Sequence, residues 1–298
     1  MAKISTSPSP LAGRRVARMN GVGNTILVLD LRGAAILPSP DEIRAIHRAH
    51  GLDFDQLMAL SDPRDPASVA FVRIYNHDGS EAGACGNGAR CVADRLARQT
   101  GADALTIETK AGLIACERLG PWTWRVDMGA PRLAWDEIPL AEKVADTRKV
   151  DIRLPGDDAP DFGPASVVNM GNPHAVFWVK DVAAVPLERV GPRFETHPLF
   201  PQKANISFAQ VRARDAIALR VWERGVGATL GCGSAACAAL VAAARLALTG
   251  REARIALPGG ELTIEWRDSD GHALMTGPVE FEREIALEAE MFAAAPAG

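Results

Sequence analysis

Ala84-Cys85-Gly86-Asn87-Gly88-Ala89 and Gly231-Cys232-Gly233-Ser234-Ala235-Ala236 are two versions of one short motif, 147 positions apart (232 − 85). The same offset relates Arg73-Ile74-Tyr75-Asn76 to Arg220-Val221-Trp222-Glu223, and Met128-Gly129-Ala130-Pro131 to Met275-Thr276-Gly277-Pro278. Gly23-Asn24 and Gly112 recur at an offset of 148, as Gly171-Asn172 and Gly260. One offset shared by so many short matches marks an internal duplication, because a repeated unit keeps its spacing while its residues drift. In each copy a strand (69–75 and 216–222) leads through a polar, glycine-rich loop to Cys-Gly and then to a helix (88–99 and 234–248). Ala89, Val92, Ala93 and Leu96 give the first helix an apolar face, and Gly101 and Gly250 stand where a left-handed cap ends a helix. A strand over 167–179, a hairpin over 113–126 turning at Leu119-Gly120-Pro121, and a helix over 40–50 are also predicted.

The 298 residues carry 33 Lys+Arg and 37 Asp+Glu, a formal charge of −4, with 47% hydrophobic and 23% charged residues. This composition suits a globular chain long enough for two cores. The acidic balance, with a pI of about 5.9, leaves no electrostatic footprint for nucleic acid or anionic lipid. The longest apolar stretch, 235–248, is alanine-rich and contains Arg245, which makes it a poor membrane span. Residues 1–15 are Ser/Pro-rich without the apolar core of a secretory signal, and read as a loose extension on a cytoplasmic protein. Five cysteines, Cys85, Cys91, Cys116, Cys232 and Cys237, are too few and odd in number for a disulfide framework.

Cys85 and Cys232 fall where helices begin, beside unpaired backbone N–H groups and the positive end of a helix dipole. Such a place lowers a thiol's pKa from about 8.5 towards roughly 3.5–7.5. Gly86 and Gly233 let the same N–H groups approach a ligand carboxylate. Two such thiols, one per copy, suit racemisation or epimerisation, in which a proton leaves one face of a carbon and another arrives at the opposite face. Buried cysteine is also a common core residue. However, Asn76-His77-Asp78-Gly79-Ser80-Glu81 and Glu223-Arg224-Gly225-Val226-Gly227 place polar residues ahead of these two. Cys91, Cys116 and Cys237 are read as packing.

With Asn76-x-Asp78-Gly79-Ser80, Gly171-Asn172-Pro173-His174 and Glu223-Arg224-Gly225 added to the two cysteine motifs, the chain from Val16 to about Phe281 resembles the diaminopimelate epimerase family. These enzymes interconvert LL- and meso-diaminopimelate without pyridoxal, on the route to lysine and peptidoglycan. The resemblance implies an α+β fold of two pseudo-symmetric lobes, each a mostly antiparallel curved sheet around a central helix, with the active site in the cleft. The expected lobes are 1–130 plus 278–298, carrying Cys85, and 131–277, carrying Cys232. It implies Cys85 and Cys232 as the acid/base pair, with Gly86, Asn87, Gly233 and Ser234 at the reacting carboxylate. Asn24, Gln56, Asn76, Asn172, Asn205 and Arg224 would surround the rest of the substrate, while Glu223 and His174 tune the thiols and Glu223 also binds substrate. An arginine suits the distal carboxylate and amide oxygens suit the distal ammonium. Taken alone, the asparagines beside glycine read equally as turn formers. The same resemblance implies a homodimer.

Several departures stand out: Ala228 where glutamate is frequent, Gly231 where alanine is usual, Ala235 where glycine is common, and Thr25 where aspartate is frequent. None removes a catalytic group. No dinucleotide fingerprint, phosphate loop, metal knuckle or His-Glu-x-x-His helix occurs, and His47 with His50 lacks a third ligand. A mechanism with neither cofactor nor metal is therefore expected. The alternatives are a proline or hydroxyproline racemase with the same two thiols, although those resemble Cys-Gly-His at one site, and a thiol redox switch without turnover.

Overall fold

Two helices, each begun by a cysteine and largely buried along its length, organise the molecule. The computed structural model describes residues 9–83, 85–156 and 160–293; Met1 to Pro8 of the expected extension, and Ala84 of the first motif, lie outside the described residues. The chain divides into two compact units, one of Met1–Ala115 with Val279–Gly298 and the other of Cys116–Pro278.

The first unit contains β1 (Arg15–Gly21), β2 (Asn24–Asp30), α1 (Pro40–Arg48), β3 (Gln56–Ser61), β4 (Phe71–Asn76), β5 (Glu81–Ala82), α2 (Gly86–Thr100), β6 (Ala104–Thr109) and the start of β7 (Gly112–Gly120). The second contains the rest of β7, then β8 (Thr123–Asp127), β9 (Ser166–Asn169), β10 (Pro173–Trp178), α3 (Leu187–Glu195), β11 (Asn205–Ala213), β12 (Ala216–Glu223), β13 (Gly227–Thr229), α4 (Gly233–Arg245), β14 (Glu252–Leu257), β15 (Gly260–Trp266) and β16 (Ala273–Pro278). The chain then returns to the first unit as β17 (Glu280–Ala286), antiparallel to β1. The division falls inside β7 because Cys116 to Gly120 pair with β8, which pairs in turn with β16.

The duplication is visible in the pairing. In the first unit β1 is antiparallel to β2, β2 parallel to β3, and β3 antiparallel to β4; β4 then meets β5 antiparallel and β6 parallel. In the second, β9 to β14 repeat that order and those directions one for one. The fold is thus α+β, with a mostly antiparallel sheet around one helix in each unit. Residues 233 and 235–243 of α4 are all buried, and the helix touches strands β9 to β12 and β14 to β16. A helix apolar all round is stable only when wrapped in this way.

Local chemistry explains the boundaries. Ser39 and Glu42 form a reciprocal capping box at the start of α1, with Pro40 at its first position. Gly101 ends α2 at φ 74°, as the sequence predicts. Gly250 has no such role. At the end of α4 the left-handed residue is Ala247, at φ 56°, because the helix stops at Arg245. The strand predicted over 167–179 is two strands, since Gly171 at φ 91° turns the chain between β9 and β10. No helix among the described residues is long and apolar enough to cross a membrane.

The core of the second unit gathers Phe177, Phe194 and Phe208, with Trp222 packed against it. Gly191 of α3 is required there: a Cβ at this position would lie 2.5 Å from Cδ2 of Trp222. Gly191→Ala is expected to destabilise the protein by about 1–3 kcal/mol through overpacking, read as a lower urea midpoint with an unchanged slope. An unchanged midpoint would show that Trp222 has room to move.

Candidate active site

Both cysteines stand at the N-cap position of their helices in extended backbone conformation, at φ −151° for Cys85 and −124° for Cys232. There the first turn of a helix leaves N–H groups without intrahelical partners. Cys85 Sγ accepts the Gly88 N–H at 3.2 Å, so its sulfur serves as the capping acceptor. Gly88 packs closely here, with the Met58 methyl carbon 1.8 Å from where a Cβ would fall, so a side chain at this position would have to displace the flexible end of Met58. Cys232 behaves differently. Its thiol donates to Glu223 Oε2 at 3.1 Å and lies 3.6 Å from Ser234 Oγ.

At Cys232 other forces oppose the pKa lowering that a helix start favours. Burial, then the Glu223 carboxylate, push the Cys232 pKa well above its ordinary value, and the Ser234 and Ala235 hydrogen bonds only partly offset them. At this helix start the dipole loses to desolvation and a neighbouring anion. Cys91 and Cys116 are buried packing residues whose thiols burial pushes up to about 12. Cys237 is fully buried in α4.

The first unit holds the first set of amides. Asn87 follows it in α2 and donates through Nδ2 to Asn24 Oδ1 at the start of β2. Arg90, one turn on and fully buried, donates to Asn87 Oδ1 at 3.0 Å. Gln56 and Asn76 are register partners on β3 and β4, with Gln56 Nε2 donating to Asn76 Oδ1 at 3.3 Å. Asn76 Nδ2 in turn donates to Ser80 Oγ at 3.0 Å. Gly86, like Asn87, is buried in the first turn of α2.

Around Cys232 stands the second set. Asn172 Oδ1 lies 2.8 Å from His174 Nε2, and His174 is the register partner of Asn205 across β10 and β11. Asn205 is almost fully buried: it donates to the Pro173 carbonyl at 3.1 Å and accepts the Arg224 N–H at 3.0 Å. Its amide braces the backbone that carries Arg224. Glu223 also accepts from Thr229 Oγ1 at 2.6 Å, which leaves its other oxygen to Cys232. Gly233 and Ser234 open α4, with Ala235 fully buried behind them. Ala228 is exposed on β13 opposite Trp222, so the carboxylate at this thiol comes from Glu223.

Sequence reasoning passed over Arg90, Thr229 and Glu195. Arg90 carries a readable signal, three residues after Asn87 on one helix face. Thr229 sits opposite Val221, two positions before Glu223 on β12, a relation visible only once β12 and β13 are joined. Among the described residues, one trio has metal-ligand geometry: Asp127, Asp270 and His272. Arg267 pairs with both of its carboxylates, so a cation already occupies that charge. His47 accepts the Phe54 N–H and stacks edge-on against that ring, while His50 is exposed; the pair shares no ligand geometry.

His174 is fully buried, and burial followed by the Arg224 charge lowers its pKa from 6.5 to about 3. Between those values the unfolded chain binds a proton that the folded chain does not, so stability falls as pH drops from 6.5 towards 3. The slope from this group alone reaches about 1.4 kcal/mol per pH unit. His174→Gln is expected to flatten that part of a melting-temperature profile; a profile parallel to wild type would show that His174 is not the group responsible. At the second thiol, Glu223→Gln is expected to move the pH midpoint of Cys232 alkylation downwards, because the raising charge is gone. A midpoint that stays put or rises would place the control elsewhere.

A sequence model of the family described as diaminopimelate epimerase matches residues 16–134 and 166–282. A protein from Methylorubrum populi named diaminopimelate epimerase is 56% identical over 292 residues, covering 96% of this chain and 98% of its own. One of the same name from Rhodopseudomonas palustris is 55% identical over 285 residues, covering 96% and 98%. Among solved structures, a hydroxyproline epimerase from Agrobacterium vitis superposes with a TM-score of 0.65 at 13% identity, covering 93% of this chain and 92% of that one. A phenazine biosynthesis protein of the PhzF family from Bacillus anthracis gives 0.65 at 15%, covering 92% and 98%. At such low identity these two structures share the fold alone. The family match spans both copies of the duplicated unit, and this chain belongs to the diaminopimelate epimerase family.

Proposed function

We propose that this protein is a diaminopimelate epimerase, an isomerase that interconverts LL- and meso-2,6-diaminopimelate for the supply of lysine and peptidoglycan precursors. The reading is carried by near full-length identity above 50% to proteins of that name, in a chain that keeps a cysteine at the N-cap of a buried helix in each unit. We assign Cys85 and Cys232 as a general acid/base pair working on one α-carbon. A thiolate at one removes the α-hydrogen as a proton and becomes a thiol. The electron pair left on carbon takes the proton of the other thiol from the opposite face, and that sulfur becomes the thiolate. No redox step or group transfer is involved, and the proposed reaction needs no pyridoxal.

The α-proton of an amino acid is very weakly acidic, so the carbanion needs stabilisation. We assign it to the N–H groups at the starts of α2 and α4, through Gly86, Asn87, Gly233 and Ser234, acting on the carboxylate where negative charge grows. Asn24, Gln56, Asn76, Asn172, Asn205 and Arg224 are assigned to the remainder of the substrate, with Arg224 for the distal carboxylate. Glu223 binds substrate and, with His174, tunes the thiols. The homodimer and the cytoplasmic location are adopted as parts of the same reading.

Proton NMR in heavy water tests it. LL-diaminopimelate is expected to lose its α-hydrogen signal at the epimerising centre, and proline to keep it. Cys85→Ala or Cys232→Ala is expected to lower turnover by more than a thousandfold. Full activity in either variant, or exchange of proline in place of diaminopimelate, would contradict the assignment.

A further inference from the structure

We propose that Glu195, the last residue of α3, is a positioning residue that clamps the turn bearing Glu223 and Arg224, holding the Glu223 carboxylate against the Cys232 thiol. The inference deepens the function proposed above and rests on it for the role of Arg224.

Glu195 is only 7% exposed, and a buried carboxylate is costly unless its oxygens find donors. Its Oε2 accepts the Trp222 indole N–H at 2.8 Å, and its Oε1 accepts the Gly225 N–H at 3.0 Å and lies 3.4 Å from the Lys203 ammonium. Trp222 and Gly225 are the residues that flank Glu223 and Arg224. One carboxylate therefore grips both ends of that two-residue turn. Burial alone would raise its pKa, but the hydrogen bonds from Trp222 and Gly225 and the Lys203 charge outweigh it and keep the acid below its ordinary value.

The surrounding segment serves the same end. Gly191, one turn earlier on α3, leaves the space in which the Trp222 ring lies. After the helix, the Gln202 carbonyl accepts from the Arg224 guanidinium at 3.0 Å and Asn205 Oδ1 takes the Arg224 N–H. The stretch from Glu195 to Asn205 thus fixes the turn at four points, and Glu195 supplies two of them. Glutamine cannot replace it: its single amide oxygen satisfies one donor while its NH2 group meets the other N–H head-on.

The test compares Glu195→Gln with Trp222→Phe, which removes one hydrogen bond but no charge. With unchanged circular dichroism, both variants are expected to raise KM for LL-diaminopimelate, by about tenfold in Glu195→Gln, the scale of a lost charge-assisted hydrogen bond. The pH midpoint of Cys232 labelling by iodoacetamide, read by peptide mass, is expected to move downwards in both, because a loosened turn carries Glu223 away from the thiol. Midpoints equal to wild type in both variants would overturn the proposal, whatever KM does. So would a shift in Glu195→Gln alone, which would trace the effect to lost charge. Should Glu195→Gln fail to fold, Trp222→Phe decides by the same labelling midpoint. The labelling needs no substrate, so a shifted midpoint in a protein that does not turn over diaminopimelate would sink the substrate and leave the clamp standing.

Discussion

A helix that begins inside a protein leaves several N–H groups pointing at nothing, and the surroundings must supply an acceptor. Here each unit wraps its sheet around such a helix and puts a cysteine at the position where serine, threonine or aspartate usually serves. A titratable group thereby stands at the start of each buried helix. Small residues follow because the turn is crowded: at Gly88 the Met58 methyl occupies the space a side chain would need.

The two copies share a topology and differ in the partners of their thiols. Cys85 Sγ receives a backbone N–H, whereas Cys232 gives its hydrogen to Glu223. The duplicated scaffold provides the similar geometry, and within the shared motif Glu223 stands where the first copy has Asn76, which puts a carboxylate beside Cys232. Amide networks hold both sets in place. Asn87 with Asn24 and Gln56 with Asn76 form pairs in the first unit, and Asn205 ties Pro173 to Arg224 in the second.

The duplication and the two cysteine helices were legible because each rests on local signals: glycine spacing, a helical face and a polar loop before it; the amide positions came only from the family resemblance, since an asparagine beside glycine reads equally as a turn former. The boundary at 115/116 was less so, as it depends on β8 pairing with a strand 150 positions away. Gly250 misled because α4 already stops at Arg245, and Ala247 takes the left-handed turn instead. The raised pKa of Cys232 was hidden for a related reason. Helix position is written in sequence, while desolvation and the approach of Glu223 across a turn are not. Glu195 has no motif at all; it ends an ordinary amphipathic helix, and its importance appears only when Trp222 and Gly225 are seen to donate to it.

That two different sulfurs exchange the α-hydrogen is tested most directly by following the isotope through the earliest turnovers. Unlabelled LL-diaminopimelate is converted in heavy water, and mass spectrometry reads the deuterium in product and in residual substrate. With separate acid and base, the first meso product carries solvent deuterium while the remaining LL isomer keeps its hydrogen. Product that retains the original hydrogen, or LL isomer that gains deuterium as fast as product forms, would mean that one group handles both faces and would contradict the two-thiol account.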